Sequence, residues 1–513
     1  MLNRAALALV LLLLAGLPAA AAAGPLPLGP SGLSEQRTVT EVAPGVRLET
    51  VVRGTRSLVD VFTVDVAFVR TRSEARALAS ELRAKDWPAV RTRRVSERAQ
   101  DDRARGPLGY LVRAGAFATE AEAIALRDRL TSAGRPGGRA VFTGEDGGRT
   151  TGPWIVRALT VDPERFDGSL VPELGTEVVP GRELLTAIAG RTDAVATING
   201  GYFVIGEADG TPGDLAGVSV VDGEVVSEAV AGRTSFLLPR TSGAGARVAT
   251  VDTRSAVRAD DGATRELDGL NRRPGLIRGC GGTGGDVPVE VAKHDFTCTD
   301  ASELIAFTPR FGASTEPGVG AEAALDPDGR VLELRTARGG AIPSGGSVLS
   351  GTGEAAAWLA THAQVGRRVR SLIDVVADGA PLGLTNQTGV VNGGPRLLRD
   401  GREDIPALAE GFVWPEDPGF FYRFGVRRNP RTLAGVRRDG RIVLVTIEGR
   451  APGVSVGASF TESAGVLRSL GARDAVNLDG GGSTGLTVGA RLLTRPSDLA
   501  GERPIGDALI LEP

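Results

Sequence analysis

Residues 474–486 read DAVNLDGGGSTGL, an apolar run closing on Asn477, Leu478 and Asp479 before Gly480, Gly481 and Gly482 lead into the hydroxyls of Ser483 and Thr484. Three glycines in a row are costly in backbone entropy and add nothing to a core. They mark a place where backbone approaches something closely or takes positive φ. A carboxylate fixed at a strand end and followed by exposed N–H groups can handle a charged or polyhydroxylated ligand. The residues ahead of the stretch set its place in the fold. Residues 441–447 (RIVLVTI) form a buried-type strand that ends at Glu448, Gly449 and Arg450. Ser459 and Glu462 then make an S-x-x-E capping box, a helix is expected over 461–470, and Gly471 stands where a C-cap glycine would. A strand-helix-strand unit makes a right-handed parallel crossover, so Glu448 and Asp479 are expected at one edge of a sheet.

The same device occurs at residues 193–203 (DAVATINGGYF) and 389–401 (GVVNGGPRLLRDG). Asn followed by Gly is the strongest short signal for a tight hairpin, and a single copy would be assigned that way. Three copies predict strand ends that converge on a site held by a rigid sheet. Upstream, RRNPRTLAGV (427–436) sets Arg431 ahead of a strand, where a guanidinium can clamp a phosphate bidentately; a surface salt bridge is the commoner fate of an arginine.

A chain of 513 residues is too long for one compact core and predicts two or three domains. With 72 glycines, 30 prolines and 4% aromatics, many turns and short strands are expected rather than a helical bundle. A formal net charge of −3 gives no electrostatic footprint for nucleic-acid binding. The only histidines are His294 and His362, and the only cysteines Cys280 and Cys298. That leaves no zinc site of Cys and His at ordinary spacing, and acid–base work falls to carboxylates.

Residues 1–23 carry Arg4, an apolar run over 5–17 and an alanine tract at 21–23. This is the layout of a secretory signal peptide, with an uncleaved membrane anchor as the competing assignment. In an oxidising compartment Cys280 and Cys298 can pair. An N-terminal segment, 24–59, contains a strand over 46–52. From Val64 and again from Leu111, the pattern strand, polar turn, helix, strand occurs twice, with apolar residues at helical spacing at Ala75, Leu78 and Leu82 and at Ala123, Leu126 and Leu130. Two such units predict a split βαβ domain over 60–143 with one four-stranded sheet, whose face is a candidate binding surface. Residues 152–513 form one large domain of short strands, with helices expected at 181–189, 353–362 and 461–470. The fold class is α+β: a large mixed-sheet catalytic domain with few helices plus the small split βαβ domain. If the 46–52 strand belongs to the large domain, the small one is an insertion.

The repeat, with Gly115, Ala116 and Phe117 followed by Glu120, Glu122 and Ala123, resembles the SPOR domain, which implies affinity for peptidoglycan glycan strands. A spacer domain without ligand is the alternative. Taken together, the motifs of the large domain resemble the phosphodiester glycosidase family, whose best-known member removes N-acetylglucosamine from a sugar phosphodiester. They are NGGYF at 199–203, NGGP at 392–395, R-T-x-x-G at Arg431, Thr432 and Gly435, NLDGGGS at 477–483, and the closing strand at 502–511. Glu448 departs from the aspartate expected before Gly449 and Arg450, and Thr484 from a second serine.

The resemblance implies a secreted, wall-associated hydrolase acting on the glycosidic bond of a sugar 1-phosphodiester. Asp479, Glu448 and Arg431 are its catalytic candidates. Asn199, Gly200, Asn392, Gly393, Thr432, Gly480, Gly481, Gly482 and Ser483 are its substrate-binding candidates. The leaving group of such a substrate is already a stable anion, so strong general-acid protonation is less necessary than for an ordinary glycoside. The site needs positive charge or N–H donors on the phosphate and a carboxylate to serve as base or nucleophile. No cofactor is required on this basis, although carboxylates near Asp479 leave a divalent cation such as calcium open. A non-catalytic wall-glycopolymer-binding protein and a phosphodiesterase releasing a sugar phosphate are the rival assignments.

Overall fold

The computed structural model describes residues 24–230, 232–239, 245–275, 277–278, 287–288 and 297–513. The expected leader at 1–23, Cys280 and His294 lie outside them. Cys298 is buried and disulfide-bonded. The architecture is α+β: several sheets and, among the described residues, six short α-helices.

The sheet that carries the Asp479 stretch has eight strands, in the order Glu35–Ala43, Val46–Arg53, Trp154–Val161, Ile442–Ile447, Arg431–Arg437, Ala472–Asn477, Arg396–Arg399 and Arg402–Glu403. Ile442–Ile447 is buried at every position, which is why it is written as an unbroken β-branched and apolar run. Both Ile442–Ile447 and Ala472–Asn477 pair antiparallel with Arg431–Arg437, so they run parallel to each other with one strand between. The helix joining them, Phe460–Ser469, opens with the reciprocal Ser459 and Glu462 cap and ends before Gly471 at φ 88°. Glu448 and Asp479 therefore leave the sheet at the same edge.

Two further sheets close on this one. A five-stranded sheet holds Ala196–Asn199 between Leu486–Val488 and Asp507–Glu512. A second eight-stranded sheet holds Thr388–Asn392 between Ser219–Val221 and Thr234–Pro239. One apolar cluster, with Ile198, Phe236, Val391, Leu444, Leu478 and Leu509, ties the three together. The helix Gly353–His362 has its expected bounds, and His362 Nδ1 at its end lies 2.7 Å from Asp261 Oδ2. Leu185–Arg191 starts later than expected, because Glu183 is held extended by a bridge to Ile505.

The repeat forms a four-stranded antiparallel sheet in the order Arg91–Val95, Gly109–Phe117, Phe62–Val69, Arg139–Phe142. Ala75, Ala79 and Leu82 of one helix and Ala123, Leu126 and Leu130 of the other bury against it. Val46–Arg53 pairs with Trp154–Val161 along its whole length, so the repeat domain is spliced between neighbouring strands of the long sheet. Its helix-free face is not open throughout. Arg113 on that face donates to both carboxylate oxygens of Asp146, at 2.5 and 2.7 Å, and to Asp65 at 2.6 Å. The Tyr422 hydroxyl from the large domain donates to the same Asp146 at 3.1 Å, and its ring stacks on Phe68. A buried bidentate pair of this kind fixes orientation as well as distance.

Candidate functional site

Three strands from three sheets end side by side at Asn199, Asn392 and Asn477, each 1% exposed. A side-chain amide offers both donors and an acceptor, so one residue can bridge two chain ends. Asn199 Oδ1 accepts from Thr432 Oγ1 at 2.6 Å and from the Gly485 N–H at 3.0 Å, while its Nδ2 donates to the Asp479 carbonyl at 2.9 Å. Asn392 Oδ1 accepts from the Tyr202 N–H at 2.8 Å. Asn477 Nδ2 donates to the Tyr202 hydroxyl oxygen at 2.7 Å, and that hydroxyl donates to the Gly394 carbonyl at 2.7 Å. The glycines let the backbones meet. A Cβ on Gly200 would lie 2.5 Å from the Asp507 carboxylate, one on Gly201 2.4 Å from Asn392 Nδ2, and one on Gly393 2.8 Å from the Asn477 carbonyl. The convergence expected from the three motifs is present, with the Asn199 and Asn392 amides engaged as clasps between sheets.

Asp479 sits at the half-buried rim of this junction. Its N–H donates to the Gly200 carbonyl at 3.2 Å, and its Oδ1 accepts from the Gly480 N–H at 2.9 Å. Gly481, at φ 60°, donates its N–H to the Pro430 carbonyl at 3.0 Å. Two of the three glycine N–H groups are thus used inside the turn. Two arginines flank the turn: Arg503, paired with Asp498 at 2.7 Å and packed on Gly482, and Arg450, whose guanidinium nitrogens lie 3.2 Å from where a Gly481 Cβ would stand. Arg450 has φ 54°, a conformation seldom taken by a residue with a side chain, and its Nη2 donates to Asn429 Oδ1 at 3.0 Å. In the sequence Arg450 stands out only as a neighbour of Glu448; its place directly after a strand ending at the same edge is the signal that could have found it. Ser483 Oγ, Thr484 Oγ1 and Asn477 Oδ1 are buried polar atoms with no hydrogen-bond partner among the described residues. Such atoms are uncommon in folded proteins and cluster where water or ligand completes the structure.

Asp507 reads in the sequence as an ordinary part of the closing strand. It opens Asp507–Glu512 directly beneath the Gly200–Gly201 turn and is 1% exposed. Its Oδ1 accepts from the Gly201 N–H at 2.9 Å, and its Oδ2 has no hydrogen-bond partner among the described residues. Burial pushes its carboxyl up to about 7; the Gly201 N–H opposes that rise and the charge of Asp479 adds to it. Asp479, half-buried, and Asp507, sealed, therefore lie within electrostatic reach of each other.

Arg431 and Glu448 flank the junction. Arg431, 2% exposed, donates from Nε to the Ala458 carbonyl at 2.9 Å and from Nη2 to the Phe424 carbonyl at 2.5 Å. Its guanidinium lies 4.4 Å from the centre of the Phe460 ring, and burial lowers its pKa to about 10. It braces the segment whose Pro430 carbonyl holds Gly481, so neither a surface salt bridge nor an open phosphate clamp describes it. Glu448, 4% exposed, accepts from the Arg157 guanidinium and from the Arg495 N–H. Among the described residues no group of three or more His, Cys, Asp or Glu is placed to hold a metal ion.

A protein from Burkholderia pseudomallei, described as an exported protein, has a crystal structure that matches this chain with TM-score 0.86 and 34% identity, over 95% of this chain and 98% of that one. The phosphodiester glycosidase family model matches residues 320–512, and the SPOR domain model residues 59–141. Residues 320–512 of this chain belong to the phosphodiester glycosidase family. The glycosidase match contains Asn392, Arg431, Glu448 and Asp479, while Asn199 reaches the same junction from outside it. A hypothetical protein from Synechocystis shares the fold, with TM-score 0.53 and 18% identity, over 93% of this chain and 76% of that one. The zebrafish N-acetylglucosamine-1-phosphodiester alpha-N-acetylglucosaminidase catalytic domain superposes only loosely, with TM-score 0.34 and 16% identity over 70% of this chain and 78% of that one. No curated protein matches the chain.

Proposed function

We propose that this glycosidase-family chain is a secreted, wall-associated hydrolase that cleaves the glycosidic bond of a sugar 1-phosphodiester, of the N-acetylglucosamine-phosphate kind, in an envelope glycopolymer. The observation that carries the proposal is the meeting of Asp479, the Gly480–Gly482 turn and Arg450 at a junction floored by buried Asp507. Arg450 neutralises the departing phosphate. Asp479, ionised, acts at the anomeric carbon either directly or through water. Asp507, protonated below about pH 7, there avoids placing a second negative charge beneath Asp479. The SPOR domain, a glycan-binding module, holds peptidoglycan strands near the site.

The test is incubation of the purified protein with UDP-N-acetylglucosamine or a methyl-phosphoryl N-acetylglucosamine, followed by product analysis. Free sugar is expected from the wild type, and a rate at least about 100-fold lower from Asp479→Asn. A sugar phosphate as product would instead mean a phosphodiesterase. Binding without turnover would mean a glycopolymer-binding protein. An Asp479→Asn variant as fast as wild type would remove this site from the chemistry.

A further inference from the structure

Between the SPOR sheet and the glycosidase domain lies a cavity of about 370 Å³, within the size range of small-ligand pockets. The repeat domain contributes Phe68 and Arg139 to its wall, and the glycosidase domain contributes Arg423, Phe424, Arg427 and Arg450. The cavity reaches the glycine turn, because Arg450 lines both.

Its charges do not balance. Of its carboxylates, Asp65 is taken by Arg113 and Glu145 by Arg427, while Glu120 makes no ion pair among the described residues. Arg423 pairs with Asp417 at 2.8 Å. Among the described residues Arg139 and Arg450 have no carboxylate within ion-pair distance, whereas Arg427 pairs with Glu145 and, at 3.6 Å, with Asp146. Arg139 and Arg450 both line the cavity and are exposed to solvent, with neighbouring protein atoms crowding one side of each. Desolvation lowers the pKa of both; on Arg139 the charges of Arg423 and Arg427 add to this and Asp65 opposes it, while on Arg450 Glu145 and Asp498 oppose it and Arg503 and Arg427 add to it. Guanidinium groups gathered without matching carboxylates repel one another, modestly where solvent screens them, and an anion relieves that repulsion. Phe68 and Phe424 present half-buried rings to the same space, the apolar surface on which a sugar ring packs.

We propose that this interdomain cavity is a second binding site, which takes the next phosphate-bearing saccharide unit of the polymer whose linkage lies at Asp479. On this basis the repeat domain forms half of a subsite in addition to any grip on glycan strands. The proposal rests on the functional assignment above in taking the ligand to be the same polymer.

The probe is a dimer of N-acetylglucosamine 1-phosphate joined through a phosphodiester, titrated calorimetrically into the full chain carrying Asp479→Asn so that turnover is not needed. Controls are the neutral N-acetylglucosamine disaccharide and inorganic phosphate. Adding Arg139→Gln, which removes a solvent-reachable charge that makes no ion pair, should weaken the charged dimer by about five- to tenfold. Arg139→Lys should stay within about twofold of the parent, since a point charge remains. The neutral disaccharide should bind far more weakly and show no dependence on residue 139. Equal affinity of the charged dimer for the parent and Arg139→Gln overturns the proposal, as does absence of binding or equal binding of the neutral sugar. A wild type that releases no sugar, while the dimer still binds in an Arg139-dependent way, defeats the functional assignment and leaves an anionic-glycan site standing.

Discussion

Replacing Asp507 by asparagine tests whether the sealed carboxyl beneath the Gly200–Gly201 turn is neutral in the native state. Its pKa rises from an ordinary 3.8 to about 7, so between those values the folded protein holds a proton that the unfolded chain has released. Stability must then fall as pH rises through that window, because the unfolded state binds fewer protons than the native one. At about 1.4 kcal/mol per pH unit, the penalty grows by about 2.3 kcal/mol between pH 5 and pH 7 and levels off by about pH 8, where the carboxyl is ionised in both states. Asp507→Asn keeps an oxygen to accept from the Gly201 N–H and carries no charge at any pH. Relative to wild type it should therefore gain about 3 kcal/mol between pH 5 and pH 8, which for a chain of this size is a shift of about 3 °C in thermal midpoint. Scanning calorimetry of both proteins at pH 5, 6, 7 and 8 measures the difference. A stability gap between the two that does not change with pH would refute the reasoning, and a gap that widens towards acid would reverse its sign.

Gly201→Ala forces a Cβ to within 2.4–2.6 Å of Asn392 side-chain and carbonyl atoms; it should cost about 2–3 kcal/mol by denaturant titration and at least about 100-fold in sugar release. Thr432→Val deletes the hydroxyl that donates to Asn199 Oδ1, with an expected loss of about 1–2 kcal/mol, and a change below about 0.3 kcal/mol in the same titration would mean that the clasp is not under load. Arg113→Ala removes the bidentate partner of buried Asp146, leaving it Arg93, Arg427 and the Tyr422 hydroxyl, and should cost about 2–3 kcal/mol; hydrogen exchange should quicken first along Phe62–Val69 and around Tyr422, and unchanged exchange there would show that the docking does not depend on this pair.

Periodicity made the repeat domain legible, because its helices place Ala75, Leu82, Ala123, Leu126 and Leu130 on the sheet at helical spacing. Capping chemistry was equally plain at Ser459 and Glu462, and the parallel relation of the two strands they separate followed from chain handedness. Asn-Gly ends identified the junction, since only glycine tolerates the backbone approach found at Gly200, Gly201 and Gly393. Less visible was how the donors and acceptors are divided. An asparagine at a strand end carries the same letter whether it faces a sugar or clasps another sheet, and Asn199 does the latter. Arg431 and Arg450 differ in what packs around them, an aromatic slot in one case and the wall of a cavity in the other, and that depends on residues far away in sequence. Asp507 was hidden for the same reason. Only burial under a turn from residues 200–201 separates it from an ordinary strand-start aspartate.

The splice of the SPOR domain into the long sheet gives the chain a fixed reach. Because the polypeptide leaves one strand and returns into its neighbour, and Arg113, Asp146 and Tyr422 lock the face between, the module has no tether on which to swing. Whatever it grips is held at one distance and one bearing from Asp479, so the local concentration of a linkage at the site is set by the spacing along the polymer rather than by linker length. Under the proposed function, bonds at the matching interval along a gripped polymer would see a higher effective concentration than those nearer or farther.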